Sequence, residues 1–181
     1  MNVIQTGIQD LLIVEPKVYG DHRGWFVETW QKYRYAETGI ADEFVQDNMS
    51  FSKKGTLRGL HMQNPAQGKL VQVIDGVIWD VAVDLRRKSS TFGKWYGITL
   101  SSVDKKQFWV PEGFAHGFYV LSDTATFSYK CTKMYEPKKE IAVLWNDEDI
   151  AIDWPFENQP LLSEKDMNAK PFKWWLAQNA F

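Results

Sequence analysis

Three histidines, at positions 22, 61 and 116, are available to move protons in this 181-residue chain. His61 lies in the stretch Thr56-Leu57-Arg58-Gly59-Leu60-His61-Met62-Gln63, between a cation, a glycine and apolar residues of strand character. Imidazole changes charge near neutral pH, so a sheltered one beside a fixed cation suits proton transfer. Taken alone, the stretch fits a half-buried core histidine better. Strict alternation puts Arg58 and His61 on opposite faces of a strand. Both reach one ligand only if Gly59 marks a bulge.

Other polar residues fall on shared faces. Gln46, Asn48 and Ser50 line one side of a strand beginning near Phe44, a polar but uncharged surface that fits either a pocket wall or a solvated face. After the turn Pro111-Glu112-Gly113, His116 shares a face with Phe114, Phe118 and Val120. Tyr129 shares one with Phe127 and Cys131, which suits a pocket or a core. Near the end, Ser163-Glu164-Lys165-Asp166 has helix-capping spacing, which makes Asp166 a cap residue. Asp84, inside a central strand, is a candidate carboxylate partner for His61.

A metal is the first alternative to side-chain acid–base chemistry. Metal-binding cupin barrels use two histidines one residue apart, a glutamate soon after and a distant third histidine. Pro111 to His116 has the spacing of the second half of that pattern, but the residue two after His61 is Gln63 and no carboxylate follows closely. Two histidines in a lysine-rich setting are too few ligands for a stable transition-metal site. A cupin shell without metal is the economical reading.

The elements that must position these residues are mostly strands. Residues 3–19 read as short extended segments. Phe26 and Glu28 share a face after the turn at 20–24, and residues 29–38 read as a short helix closed by Gly39. From Lys69 to Arg86 the pattern is strongly β, with Asp75-Gly76 as a hairpin signature. Val77, Trp79, Val81, Val83 and Leu85 fall on one face of the return strand, and Ile78, Asp80, Ala82 and Asp84 on the other. Segments 93–100, 107–110, 125–131 and 141–145 add strands. Short strands with turns every eight to twelve residues predict an all-β sandwich or barrel, in one domain spanning 1–181.

Composition narrows the partners. With 21 basic and 23 acidic residues interleaved, no basic footprint for nucleic acid or a membrane surface stands out. No apolar run approaches the roughly 20 residues of a membrane span, and the N-terminus lacks a signal-peptide pattern. One cysteine, Cys131, excludes an internal disulfide and makes a reducing cytoplasm the expected location. Aromatic residues, 15% of the chain, supply flat surfaces for a core, a subunit interface or a ring-shaped ligand.

Eight segments in order resemble the dTDP-4-dehydrorhamnose 3,5-epimerase family, metal-free sugar-nucleotide cupins. They are Asp21-His22-Arg23-Gly24, Val45-Gln46-Asp47-Asn48, Leu57-Arg58-Gly59-Leu60-His61, Gln67-Gly68-Lys69-Leu70-Val71, Asp80 to Arg86, Gly113 to Phe118, Tyr129-Lys130-Cys131-Thr132 and Ser163-Glu164-Lys165-Asp166. The resemblance implies a cupin-type jelly roll with a few short helices at its periphery and C-terminus. It implies a homodimer with strands exchanged between subunits, and no cofactor or metal. It implies His61 as general base, Asp166 as the carboxylate that orients it, Tyr129 as general acid on the opposite side of the sugar, and Lys69 as the cation at the keto oxygen. Arg23 and Arg58 match diphosphate ligands; Glu28, Gln46 and Asn48 match contacts to the nucleotide; Tyr135 matches the residue that stacks on thymine. Phe26, His116, Glu140 and Lys165 match further substrate-binding positions.

The implied substrate is a dTDP-linked 4-keto-6-deoxy sugar. Its C3 and C5 hydrogens are acidic because the ketone delocalises the carbanion as an enolate, so inversion needs a base on one face, an acid on the other and a positive group at oxygen. The same scaffold admits a single-centre epimerase or a ketoisomerase. A different class, a metal-binding or non-catalytic cupin that recognises carbohydrate, is the wider alternative. Plainer readings of single residues also stand: Lys69 as a solvated strand edge, Arg23 as a surface charge in a turn.

Overall fold

The computed structural model describes residues 1–41, 43–156 and 158–181. The chain begins with β1 (Asn2–Gln5), β2 (Leu12–Glu15), β3 (Val18–Asp21) and β4 (Gly24–Val27), then a short helix, α1 (Lys32–Ala36). Gln31 caps that helix by accepting from the Arg34 amide, and Gly39 follows it at a φ of +97°. Eight strands come next: β5 (Gln46–Lys53), β6 (Leu57–Gln63), β7 (Lys69–Asp75), β8 (Val77–Asp84), β9 (Trp95–Ser101), β10 (Gln107–Val110), β11 (Phe114–Val120) and β12 (Thr124–Cys131). A short β13 (Glu140–Ala142) and helices α2 (Glu164–Met167) and α3 (Phe172–Ala177) complete the order. No helix among the described residues is long and apolar enough to cross a membrane.

One sheet has the order β1-β2-β10-β7-β12-β5 and a second the order β13-β6-β11-β8-β9, with every pair antiparallel. From β5 to β12 the chain changes sheet at every step except β8 to β9. The resulting orders, β10-β7-β12-β5 and β6-β11-β8-β9, are the interlocked Greek keys of a jelly roll. The expectation of an all-β sandwich holds. The expected hairpin at Asp75-Gly76 does not: β7 pairs with β10 and β12, whereas β8 pairs with β11 and β9. Gly76, at a φ of +87°, turns the chain from one sheet into the other, and a Cβ there would lie 2.2 Å from the Thr124 carbonyl oxygen. A tight-turn signature specifies the reversal, not which strands then pair.

Burial explains why β8 is apolar on both faces. Ile78 and Ala82 point between the sheets, into a core with Val71, Val73, Phe108, Phe118 and Phe127. Val81, Val83 and Leu85 point outward, under a layer made by Ile141, Trp154 and Phe172. Each fully buried residue of this kind contributes roughly 1.5–3 kcal/mol. The outer layer is fastened by two main-chain bridges, Thr56 to Leu161 and Val143 to Lys170, and by the buried Asp147 carboxylate, which accepts from the Phe172 amide at 2.8 Å. This layer carries α2 to the open end of β6. The opposite sheet is covered by α1, with Tyr35 packed on Leu12, Val14, Leu70 and Trp109.

The bulge that alternation required is present. His116 on β11 faces His61, yet Phe118 faces Arg58, so β6 spends three steps where β11 spends two. Gly59 sits inside that irregularity with φ +127° and its Cα face against β11, where a Cβ would lie 2.6 Å from Gly117 Cα.

Candidate active site

A cavity of about 720 Å³ opens between the sheets. Its walls include Gln46, Asn48 and Ser50 of β5, Arg58, His61 and Gln63 of β6, Lys69 of β7, His116 of β11, Tyr129 and Cys131 of β12, and Tyr135, Glu140, Lys165 and Asp166. The extra residue in β6 is what lets Arg58 and His61 share it.

His61 Nε2 lies 2.5 Å from Asp166 Oδ1. The Ser163 hydroxyl donates to Asp166 Oδ2 at 2.8 Å and accepts from the Asp166 amide at 3.1 Å. Asp166 is therefore both the third residue of a capped helix and the carboxylate behind the imidazole; the two readings of this residue coexist. Burial pushes its carboxyl up, but the bonds from His61 and Ser163 outweigh that and hold it below the usual carboxylate range. Asp84, the competing partner, is occupied elsewhere. Its buried carboxylate accepts from Arg86 Nε and Nη2, each at 2.9 Å, and from Ser89 and Thr91.

Tyr129 enters the same cavity from the opposite sheet, its ring 5.5 Å from that of Phe127. Burial raises its pKa, so the phenol keeps its proton and remains a donor. Lys69 is the cross-strand partner of Cys131. Burial pushes its ammonium down from the usual lysine value, with Cys131, Glu140 and Asp80 opposing. The Cys131 thiol is raised by burial and accepts from Asn48 Nδ2 at 3.6 Å, so it stays protonated and unreactive.

A second histidine–carboxylate pair stands beside the first. His116 Nε2 lies 2.8 and 3.0 Å from the two oxygens of Asp80, which is fully buried, and the imidazole stacks on Phe127. Strand alternation puts Asp80 on one face with Ile78, Ala82 and Asp84, and the resemblance includes it in a matching segment, but neither assigns it a partner. The available signal was a carboxylate alternating with Ile78 and Ala82 in a central strand, which cannot stay buried without a partner.

At the mouth, the Tyr135 hydroxyl donates to Glu140 Oε2 at 2.9 Å and Lys165 Nζ donates to Glu140 Oε1 at 2.7 Å. Burial raises the Glu140 carboxyl, yet Lys165, His61 and Tyr135 together bring it below its ordinary value. Arg58 is held by Ser52 Oγ at 3.0 Å and the Phe51 carbonyl, which leaves guanidinium edge free for an anion. No group of three or more His, Cys, Asp or Glu side chains able to hold a metal occurs among the described residues. Gln63, at the position of a cupin metal ligand, has its amide taken up by main-chain groups.

Three residues expected at the site lie elsewhere in this chain. Arg23 is paired with Asp21 at 2.6 Å on the separate β3–β4 hairpin, Phe26 is 68% exposed on that hairpin, and Glu28 pairs with Arg34. Phe26 and Glu28 border a different recess, with Tyr19 and Arg34.

A family model described as dTDP-4-dehydrorhamnose 3,5-epimerase matches residues 5–173. The chain belongs to this family. The enzyme of that name from Shigella flexneri is 55% identical over 175 residues, covering 95% of this chain and 96% of the relative. The crystal structure of a dTDP-6-deoxy-D-glucose-3,5-epimerase from Legionella pneumophila, in complex with dTDP-4-keto-L-rhamnose, superposes with a TM-score of 0.93 at 55% identity, covering 95% and 93% of the two chains. A 3'-monoepimerase from Streptomyces bikiniensis, in complex with dTDP-quinovose, superposes with a TM-score of 0.89 at 30% identity, covering 97% and 90%. The jelly roll seen here is the cupin-like sandwich of these epimerases.

Proposed function

We propose that the protein epimerises a dTDP-linked 4-keto-6-deoxyhexose at C3 and C5, as an isomerase of deoxysugar synthesis. The observation that carries this is the meeting, in one cavity, of His61 on one sheet, Asp166 behind it on α2, and Tyr129 on the other sheet. Neutral His61 removes the proton alpha to the ketone, and Asp166 stabilises the imidazolium that forms. The electron pair of the broken C–H bond moves into the enolate, whose oxygen is met by the Lys69 ammonium. Tyr129 delivers its proton to the same carbon from the opposite face, which inverts the centre. Solvent then restores both side chains. The reaction balances with no redox partner.

Arg58 serves the diphosphate. The uncharged Gln46–Asn48 wall and the Tyr135 ring suit a pyrimidine, and His116, Glu140 and Lys165 complete the pocket. The test is incubation with dTDP-4-keto-6-deoxyglucose in deuterium oxide, followed by proton NMR. Exchange with inversion at C3 and C5 is expected. Exchange at a single carbon would reassign the protein as a monoepimerase, and exchange at neither would remove the activity.

A homodimer accounts for the placement of the β3–β4 hairpin. Tyr19, Trp25 and Phe26 are exposed there at 54%, 59% and 68%, and Arg23 and Glu28 are not part of the cavity lining of their own chain. We infer that the hairpin crosses to a second copy and supplies Arg23, Phe26 and Glu28 to the partner's nucleotide site. Mixing His61→Asn chains with Arg23→Ala chains tests this. Regained activity in the mixture is expected; two inactive proteins that stay inactive after subunit exchange would exclude the crossing. A free, buried Cys131 thiol fits the reducing cytoplasm as the location.

A further inference from the structure

The loop that carries Tyr135 is held by glutamine side chains. Four consecutive residues take part. The Lys133 carbonyl accepts from Gln67 Nε2 at 2.6 Å, and the Met134 carbonyl from Gln63 Nε2 at 3.1 Å. The Tyr135 amide donates to Gln46 Oε1 at 2.8 Å, and the Glu136 amide to Gln63 Oε1 at 3.1 Å. Gln46 comes from one sheet, Gln63 from the other, and Gln67 from the connection leading into β7. Main-chain groups of a loop at a cavity mouth ordinarily go to water, and the loop then samples many conformations. Here they go to side chains carried by the two sheets and by the connection into β7.

The choice of residue type follows from the chemistry. Gln63 must accept from one amide and donate to two carbonyls, Met134 and Pro65, while 2% exposed. A carboxylate cannot donate, an ammonium cannot accept, and either would place a net charge beside Glu140 and Lys165. Only a neutral primary amide of this length meets all three demands.

We propose that Gln63 and Gln67 are positioning residues that pre-order the 133–136 loop, so that the Tyr135 ring waits at the mouth as a platform for a planar aromatic base. This rests on the nucleotide reading of Tyr135 given above. An ordered platform binds more tightly because the ligand does not have to pay for arranging it. The chain has put an amide where a metal-binding cupin would put a ligand, and uses it to build the nucleotide end of the site.

The test uses the full-length protein, with calorimetric affinities for thymidine diphosphate and for inorganic pyrophosphate, alongside steady-state kinetics. Gln63→Met removes both functions of the amide at similar volume. We expect about tenfold weaker thymidine diphosphate binding, an equal rise in KM for the sugar nucleotide, kcat within about twofold, and unchanged pyrophosphate affinity. Gln67→Ala gives the same pattern more weakly, and stands in if Gln63→Met does not fold. In a Tyr135→Ala background, Gln63→Met has no further effect on thymidine diphosphate. Equal weakening of both ligands would reduce the clamp to a general structural role. A silent Gln63→Met and Gln67→Ala beside an impaired Tyr135→Ala would overturn the clamp alone. A silent Tyr135→Ala would overturn the stacking role and the clamp with it.

Discussion

Ser163 holds Asp166 twice, through its hydroxyl on the carboxylate at 2.8 Å and through the same oxygen on the Asp166 amide at 3.1 Å. One side chain thus starts α2 and aims the carboxylate that backs His61. Ser163→Ala is expected to cost about 1 kcal/mol of stability through the lost cap, seen as a fall in Tm of about 2–4 °C. It should also lower kcat several-fold with KM unchanged, and Ser163→Thr should restore both. A variant with lower Tm and unaltered kcat would show that the second oxygen needs no support.

The dyad and the phenol should separate two halves of one reaction. His61→Asn is expected to lower solvent exchange at both carbons by about 10²–10⁴-fold. Tyr129→Phe should leave proton loss largely in place while impairing inversion. NMR in deuterium oxide reads both; full exchange in His61→Asn would take that residue out of the mechanism.

Two shifted groups decide the alkaline limb of the pH profile. In the proposed mechanism Lys69 serves as a cation; its pKa is lowered by burial, so its charge is lost as pH rises through a value below that of free lysine. In the same mechanism Tyr129 serves as a proton donor; its pKa is raised by burial, so it keeps its proton beyond the range of an ordinary tyrosine. The fall in kcat at high pH therefore belongs to Lys69. Lys69→Arg should move the limb upward and Tyr129→Phe should leave it in place. A limb that vanished in Tyr129→Phe would reverse the assignment.

Gly59 admits no side chain. Alanine there needs φ near +127° and sets a Cβ 2.6 Å from the Gly117 backbone. Gly59→Ala should cost at least about 2 kcal/mol, a drop in Tm of about 4–8 °C. Because the bulge aligns Arg58 with His61, the residual folded enzyme should lose both substrate affinity and turnover. Normal kinetics in a merely less stable protein would detach the bulge from the site.

Much of this was legible in the residues. Alternation placed Gln46, Asn48 and Ser50 on a common face, set Tyr129 beside Phe127, and demanded a bulge at Gly59, because these patterns are local. Asp75-Gly76 predicts a β7–β8 hairpin that the structure lacks, since the dipeptide encodes a sharp turn and the sheet each strand joins depends on the rest of the jelly roll. Asp80 was visible as a buried carboxylate but not as the partner of His116, because the bond crosses 36 positions. The contacts of Gln63 with residues 134 and 136 were invisible for the same reason. Resemblance supplied Arg23, Phe26 and Glu28, and no pattern within one strand says that they stand apart from the cavity of their own chain.

The carboxylate behind His61 arrives on the outer layer, fastened by the Thr56–Leu161 and Val143–Lys170 bridges, and not on either sheet of the jelly roll. Shape and chemistry are thus matured by different parts of the polypeptide. The eight-strand shell alone would present Arg58, Lys69 and Tyr129 to a visitor and still lack a poised base. The segment after β13 therefore brings both the Asp166 carboxylate behind the imidazole and the Trp154 and Phe172 cover over Val81, Val83 and Leu85.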